Sequence, residues 1–116
     1  MNDNQPIFSL GNITNHGEVW AYLYNFTVEE WYYKLVFDIS KKPIIPIYKK
    51  EDELELLEKG RQIPESKFKL GDELQGKGVI IGVYYHPLEK SFAYHLAKSG
   101  TPRYINWIPE TTLISR

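Results

Sequence analysis

The 116-residue chain has no cysteine, a single methionine and three histidines, and no apolar run approaches the ~20 residues that span a bilayer as a helix. Without cysteine there are no disulfides, no thiolate nucleophile, no cysteine-held zinc and no iron–sulfur cluster. Charge of one sign is also lacking. Fourteen Lys and Arg stand against fifteen Asp and Glu, for a formal charge of −1, so the footprint of a dedicated nucleic-acid binder is absent. The polar start Met1-Asn2-Asp3-Asn4-Gln5-Pro6 has no basic, apolar signal-peptide pattern, and the expected location is the cytoplasm without membrane association.

Catalytic patterns are missing as well. Ser and Thr occur without a Gly-x-Ser-x-Gly elbow. Gly76-Lys77-Gly78 is not followed by a helix or by Gly-Lys-Ser/Thr, so it reads as the start of a hairpin rather than a phosphate loop. The acidic run Asp52, Glu53, Glu55, Glu58 lies among Lys49, Lys50 and Lys59 and reads as a solvated face. His86 and His95 fall on the order of 13 Å apart along a hairpin, too far to share one ion. No catalytic, metal or cofactor site is expected, and the chain is read as a non-enzyme.

Aromatics are in excess, with nine Tyr, five Phe and three Trp, and they recur in order. Phe8-Ser9-Leu10-Gly11-Asn12 reappears as Phe68-Lys69-Leu70-Gly71-Asp72, and Trp31-Tyr32-Tyr33-Lys34-Leu35 as Phe92-Ala93-Tyr94-His95-Leu96. Tyr48-Lys49-Lys50-Glu51 then matches Trp107-Ile108-Pro109-Glu110, so the offset runs 60, 61, 59 and only loops absorb the difference. Within each copy, alternation predicts a hairpin. Tyr85 should face Phe92, Val83 Tyr94 and Ile81 Leu96, and in the first copy Tyr24 should face Trp31, Tyr22 Tyr33 and Trp20 Leu35. A third strand is expected over 104–108. The run Glu53-Leu54-Glu55-Leu56-Leu57-Glu58-Lys59-Gly60 has good helix formers and a glycine stop, which predicts a short bridging helix.

The order Phe-x-Leu-Gly-Asp, a glycine-led hairpin, an aromatic strand and Trp107-Ile108-Pro109-Glu110-x-x-Leu113 resembles bacterial SH3-like barrels. In outline it is similar to the accessory subunits of photosystem I and ferredoxin–thioredoxin reductase and to KOW and Tudor modules, with a fainter likeness to cyanobacterial proteins of this size. Residues 66–116 carry the resemblance best; the first copy departs from it at Glu18 and in its insert over 38–46. The implied fold is mainly β, two tandem SH3-like antiparallel barrel units joined by a short helix or linker. Residues 6–56 form the first unit, 57–65 the linker and 66–116 the second, packed as one domain.

Both faces of the first strand pair are apolar, and a small barrel buries only one. Val19, Ala21, Leu23, Tyr32 and Val36, with Tyr84 of the second unit, therefore form the candidate interaction face. The second unit, through Ile80, Tyr84 and Ala93, or a second chain would cover it. The leading expectation is an interaction module that docks a protein partner or a homodimer. Nucleic-acid binding through Lys67, Lys69, Lys77, Lys90, Lys98 and Arg103 is the alternative, and a redox-complex accessory subunit the third.

Overall fold

The computed structural model describes residues 5–98, 101–102 (backbone alone) and 107–114. Its strands, in chain order, are β1 (Ile13–Thr14), β2 (Gly17–Asn25), β3 (Glu30–Val36), β4 (Ile47–Lys50), β5 (Leu56–Glu58), β6 (Glu73–Leu74), β7 (Gly78–His86), β8 (Ser91–Lys98), β9 (Thr101–Pro102) and β10 (Ile108–Pro109). A 3-10 turn (Glu51–Glu53) follows β4, and a short helix α1 (Glu110–Ile114) follows β10.

Two long hairpins dominate, β2–β3 and β7–β8, as alternation of aromatic and aliphatic residues demands. The expected pairs Tyr24↔Trp31, Tyr22↔Tyr33, Tyr85↔Phe92 and Val83↔Tyr94 are present. The expected Trp20–Leu35 and Ile81–Leu96 pairs are not. Each hairpin has a bulge at that residue, so Val19 pairs with Leu35 and Ile80 with Leu96. An extra residue on one strand inverts the face of everything before it. Val19 and Ile80 consequently point into the core, whereas simple alternation placed them outside.

All ten strands belong to one antiparallel sheet in the order β10-β8-β7-β2-β1-β5, with β3 and β4 continuing from β2, β6 on β7 and β9 on β8; among the described residues these pairings do not close into a barrel. The halves meet in a ladder of Ala21↔Tyr84, Tyr22↔Val83 and Leu23↔Gly82. At the offset of 61 that relates Trp31 to Phe92, Tyr22 corresponds to Val83, Ala21 to Gly82 and Leu23 to Tyr84, so the ladder maps onto itself under a half turn. Corresponding local bonds also occur on both sides. Gly11 and Gly71 donate to Val19 and Ile80 carbonyls at 2.9 Å, and Ser9 and Lys69 amides are held by the side chains of Asn12 and Asp72. Gly17 and Gly78 open the long strands at φ +124° and +122°, where a Cβ would fall 2.7 Å from the Val36 carbonyl oxygen and 2.4 Å from that of Ala97. Only glycine fits there.

The core lies on one face of this sheet. One cluster centres on Phe8, Val19, Trp31, Tyr33 and Leu35, the other on Ile80, Val83, Tyr94, Leu96 and Leu113, and both pack on Leu10, Tyr22 and Leu70. Phe8 and Phe68 meet the edges of Tyr33 and Tyr94, each pair 5.4 Å between centres.

The expected helix over residues 53–60 is replaced by the 3-10 turn and β5. Strand β1 leaves an edge open, and tertiary pairing overrides helix propensity. Leu56–Glu58 pairs with β1, while Asn15 and Glu55 exchange bonds: the Asn15 amide to the Glu55 carbonyl (3.1 Å), the Glu55 amide to Asn15 Oδ1 (2.8 Å). Of the strand expected over 104–108, residues 104–106 lie outside the described residues, Trp107 is not in a strand, and Ile108 opens β10.

Candidate protein-docking face

The residues alternating with the core series lie on the opposite face of the sheet. From β2 these are Ala21 and Leu23, from β3 Tyr32, Lys34 and Val36, from β7 Gly82, Tyr84 and His86, and from β8 Ala93, His95 and Ala97. Of the six residues selected from sequence, Val19 does not belong here: the bulge at Trp20 turns it into the core, 1% exposed. Ala21 and Val36 are on this face but buried. Leu23, Tyr32 and Tyr84 are half-buried and reach the surface.

Tyr84 is the hub. Lys34 Nζ lies 4.0 Å above its ring centre, and the Trp107 ring packs 5.4 Å away at 55°. Trp107 also meets His95 edge-on at 4.1 Å, and its Nε1–H points to the Tyr48 hydroxyl at 3.5 Å. Tyr48 is the cross-strand neighbour of Lys34 on β4, and it corresponds in the alignment to Trp107 itself. His86 lies against Trp20 at 4.9 Å, and its Nδ1 accepts the Glu89 amide in the β7–β8 turn at 3.3 Å. Burial lowers the Lys34 pKa, and burial followed by the Glu89 charge raises that of Tyr84. Beside this cluster a groove of about 420 Å³ runs between Tyr84, His86, Lys90, Phe92 and Trp107, with the carboxylates Glu89 and Glu110 also in its lining.

Sequence reasoning missed Lys34, Tyr48 and Trp107 as members of this face. Two signals were available: Lys34 is the one charge inside Trp31-Tyr32-Tyr33-Lys34-Leu35-Val36, and the alignment couples Tyr48 with Trp107.

The carboxylates set into the structure are engaged elsewhere. Glu18, 8% exposed, receives Arg61 Nε at 2.6 Å and Nη2 at 3.2 Å, and its Oε1 also accepts Trp20 Nε1–H at 3.2 Å. This pair ties residue 61 to β2 and explains why Glu18 can stand where the second half has Val79. Glu51 and Glu110 each accept a tyrosine hydroxyl, from Tyr33 and Tyr94, at 2.5 Å. Among the described residues no three His, Asp or Glu side chains gather as a metal site would need.

The basic residues of the second half do not line up. Lys69 pairs with Glu65, Lys77 and Lys98 reach the carbonyls of Leu113 and Gly76 at one end of β7–β8, and Lys90 sits in the turn at the other. The nine residues of β7 separate those ends by roughly 25 Å. Arg103 lies outside the described residues.

Compared with protein families, curated proteins and solved structures, the chain matches none. Among the described residues no helix is long and apolar enough to cross a membrane.

Proposed function

We propose that this chain is a non-catalytic interaction module, built from two related SH3-like halves, that docks a protein partner through the face centred on Tyr84. The observation that carries the reading is the aromatic second face of the sheet. The core consumes one face, yet the other still presents Tyr84, Trp107, Tyr48, Tyr32 and Leu23 at the surface, and burying such groups stabilises association by about 25 cal/mol per Å². Aromatic residues of this type dominate the energetic centres of protein interfaces. The separation of the lysines into two distant groups favours a protein partner over a nucleic acid, which rewards a continuous basic track. Affinity capture from the native host tests the reading. Wild-type chain should retain a stoichiometric partner that the Leu23→Glu/Tyr32→Glu double variant loses while keeping its fold. Equal capture by both chains overturns it.

A further inference from the structure

Lys34 stands in the middle strand of the first half, half-buried, with its ammonium over the Tyr84 ring. It forms no ion pair among the described residues. The neighbouring acids have other places: Glu18 holds Arg61 and Trp20, Glu30 faces Lys50 at 3.7 Å, Glu110 holds Tyr94, and Glu89 lies in the exposed β7–β8 turn, where its charge reaches Tyr84. Outside the described residues, 99–106 contain no Asp or Glu, and Asp3 is the one acidic side chain. A cation–π contact at a partly wet site contributes only about 0.5–1 kcal/mol, which does not offset full desolvation of an ammonium. A protein that covers Tyr84 and Trp107 therefore strands this charge unless it brings an anion of its own.

Resting on the docking reading above, we infer that the partner inserts an Asp or Glu carboxylate beside Lys34, bracketed by the rings of Tyr84 and Tyr48. Charge complementarity selects the occupant: Lys34 is the cation set among the rings, with Lys90 at the turn beyond the groove, which suits one side-chain carboxylate flanked by apolar neighbours. A phosphate backbone would call on several cations in a row. The match confers specificity more than affinity, because a partner lacking the acid pays for a buried unpaired ammonium.

The test titrates isotope-labelled full-length protein with three probes: end-blocked hexaglutamate, hexaglutamine and oligothymidylate. Hexaglutamate should shift the signals of Lys34, Tyr84 and the Trp107 indole, and hexaglutamine should leave them in place. Lys34→Met, which keeps the aliphatic stem, should weaken hexaglutamate binding roughly tenfold or more, and Lys34→Arg should retain it. Lys34→Gln serves where Lys34→Met lowers the melting temperature. Hexaglutamate binding that is absent, or unchanged in both neutral variants, overturns the inference, as does preferential binding of oligothymidylate at Lys34. Partner capture separates the two levels. A Lys34→Met chain that retains its partner, when Leu23→Glu/Tyr32→Glu loses it, removes the carboxylate and leaves the docking face standing.

Discussion

The Tyr94 hydroxyl donates to Glu110 at 2.5 Å while accepting the Phe68 amide at 3.3 Å, and Tyr33 stands in the same relation to Glu51 and Phe8. Each tyrosine thus joins a central strand to the segment that caps the core and to the element that follows β4 or β10. Ile7 and Lys67 amides complete the arrangement on the same carboxylate oxygens, at 3.0 and 3.3 Å.

Removing either hydroxyl should be costly. Tyr33→Phe and Tyr94→Phe each leave an amide without its acceptor and remove one of the carboxylate's two donors, for about 1–3 kcal/mol. Urea unfolding should show similar losses at the two positions; an effect below about 0.5 kcal/mol at both would mean that the bonds are incidental.

Alkaline pH should unfold the protein through these same groups. Burial first, then the hydrogen-bonded carboxylate, pushes the Tyr33 and Tyr94 hydroxyls far above the ordinary tyrosine value of 10.0. A raised folded pKa means that the unfolded chain releases its protons first. The stabilisation is therefore complete below pH about 10 and declines as pH rises beyond it. Ultraviolet titration should show these phenols ionising together with unfolding, and in Tyr33→Phe/Tyr94→Phe the alkaline decline should be shallower.

The two tryptophans Trp31 and Trp107 should differ. Trp31 is a core residue, 7% exposed, and Trp31→Ala should cost ~3–5 kcal/mol. Trp107 is half-buried on the opposite face, and Trp107→Ala should cost no more than about 2 kcal/mol while impairing partner binding. A reversed order in denaturant unfolding would mean that the faces are exchanged.

Breaking the Glu18–Arg61 pair should depend on which partner goes. Arg61→Ala leaves an almost buried carboxylate and should cost about 1–3 kcal/mol, reduced because the Arg61 side chain is 43% exposed. Glu18→Val/Arg61→Met removes both charges but leaves the buried Trp20 Nε1–H without its acceptor, so it should still cost about 1–3 kcal/mol in thermal or chemical unfolding, and adding Trp20→Phe should recover part of that loss.

The hairpins were legible because aromatic and aliphatic residues recur every second position, from Tyr22 to Tyr24 and from Val83 to Tyr85. The bulges were not. Trp20 and Ile81 are as apolar as their neighbours, so no change of pattern marks the extra residue, and Val19 was assigned to the wrong face. Strand β5 was hidden for another reason: Leu56, Leu57 and Glu58 favour helix locally, and only the open edge of β1, distant in sequence, makes them extend. On the docking face Leu23, Tyr32 and Tyr84 followed from alternation, whereas the meeting of Trp107 with Tyr48 depends on how the sheet curves, which periodicity does not encode.

The three rungs between β2 and β7 also set an order of events. Each long hairpin closes over a turn of four residues, fixed by Asn25 in one case and His86 in the other, and such closures take microseconds. Joining Tyr22 to Val83 instead demands that a loop of some sixty residues be drawn shut, at a greater entropic cost and with a later reward. The seam between the halves should thus be the last of the long-strand pairings to form, and amide exchange along Ala21–Leu23 and Gly82–Tyr84 should time its opening.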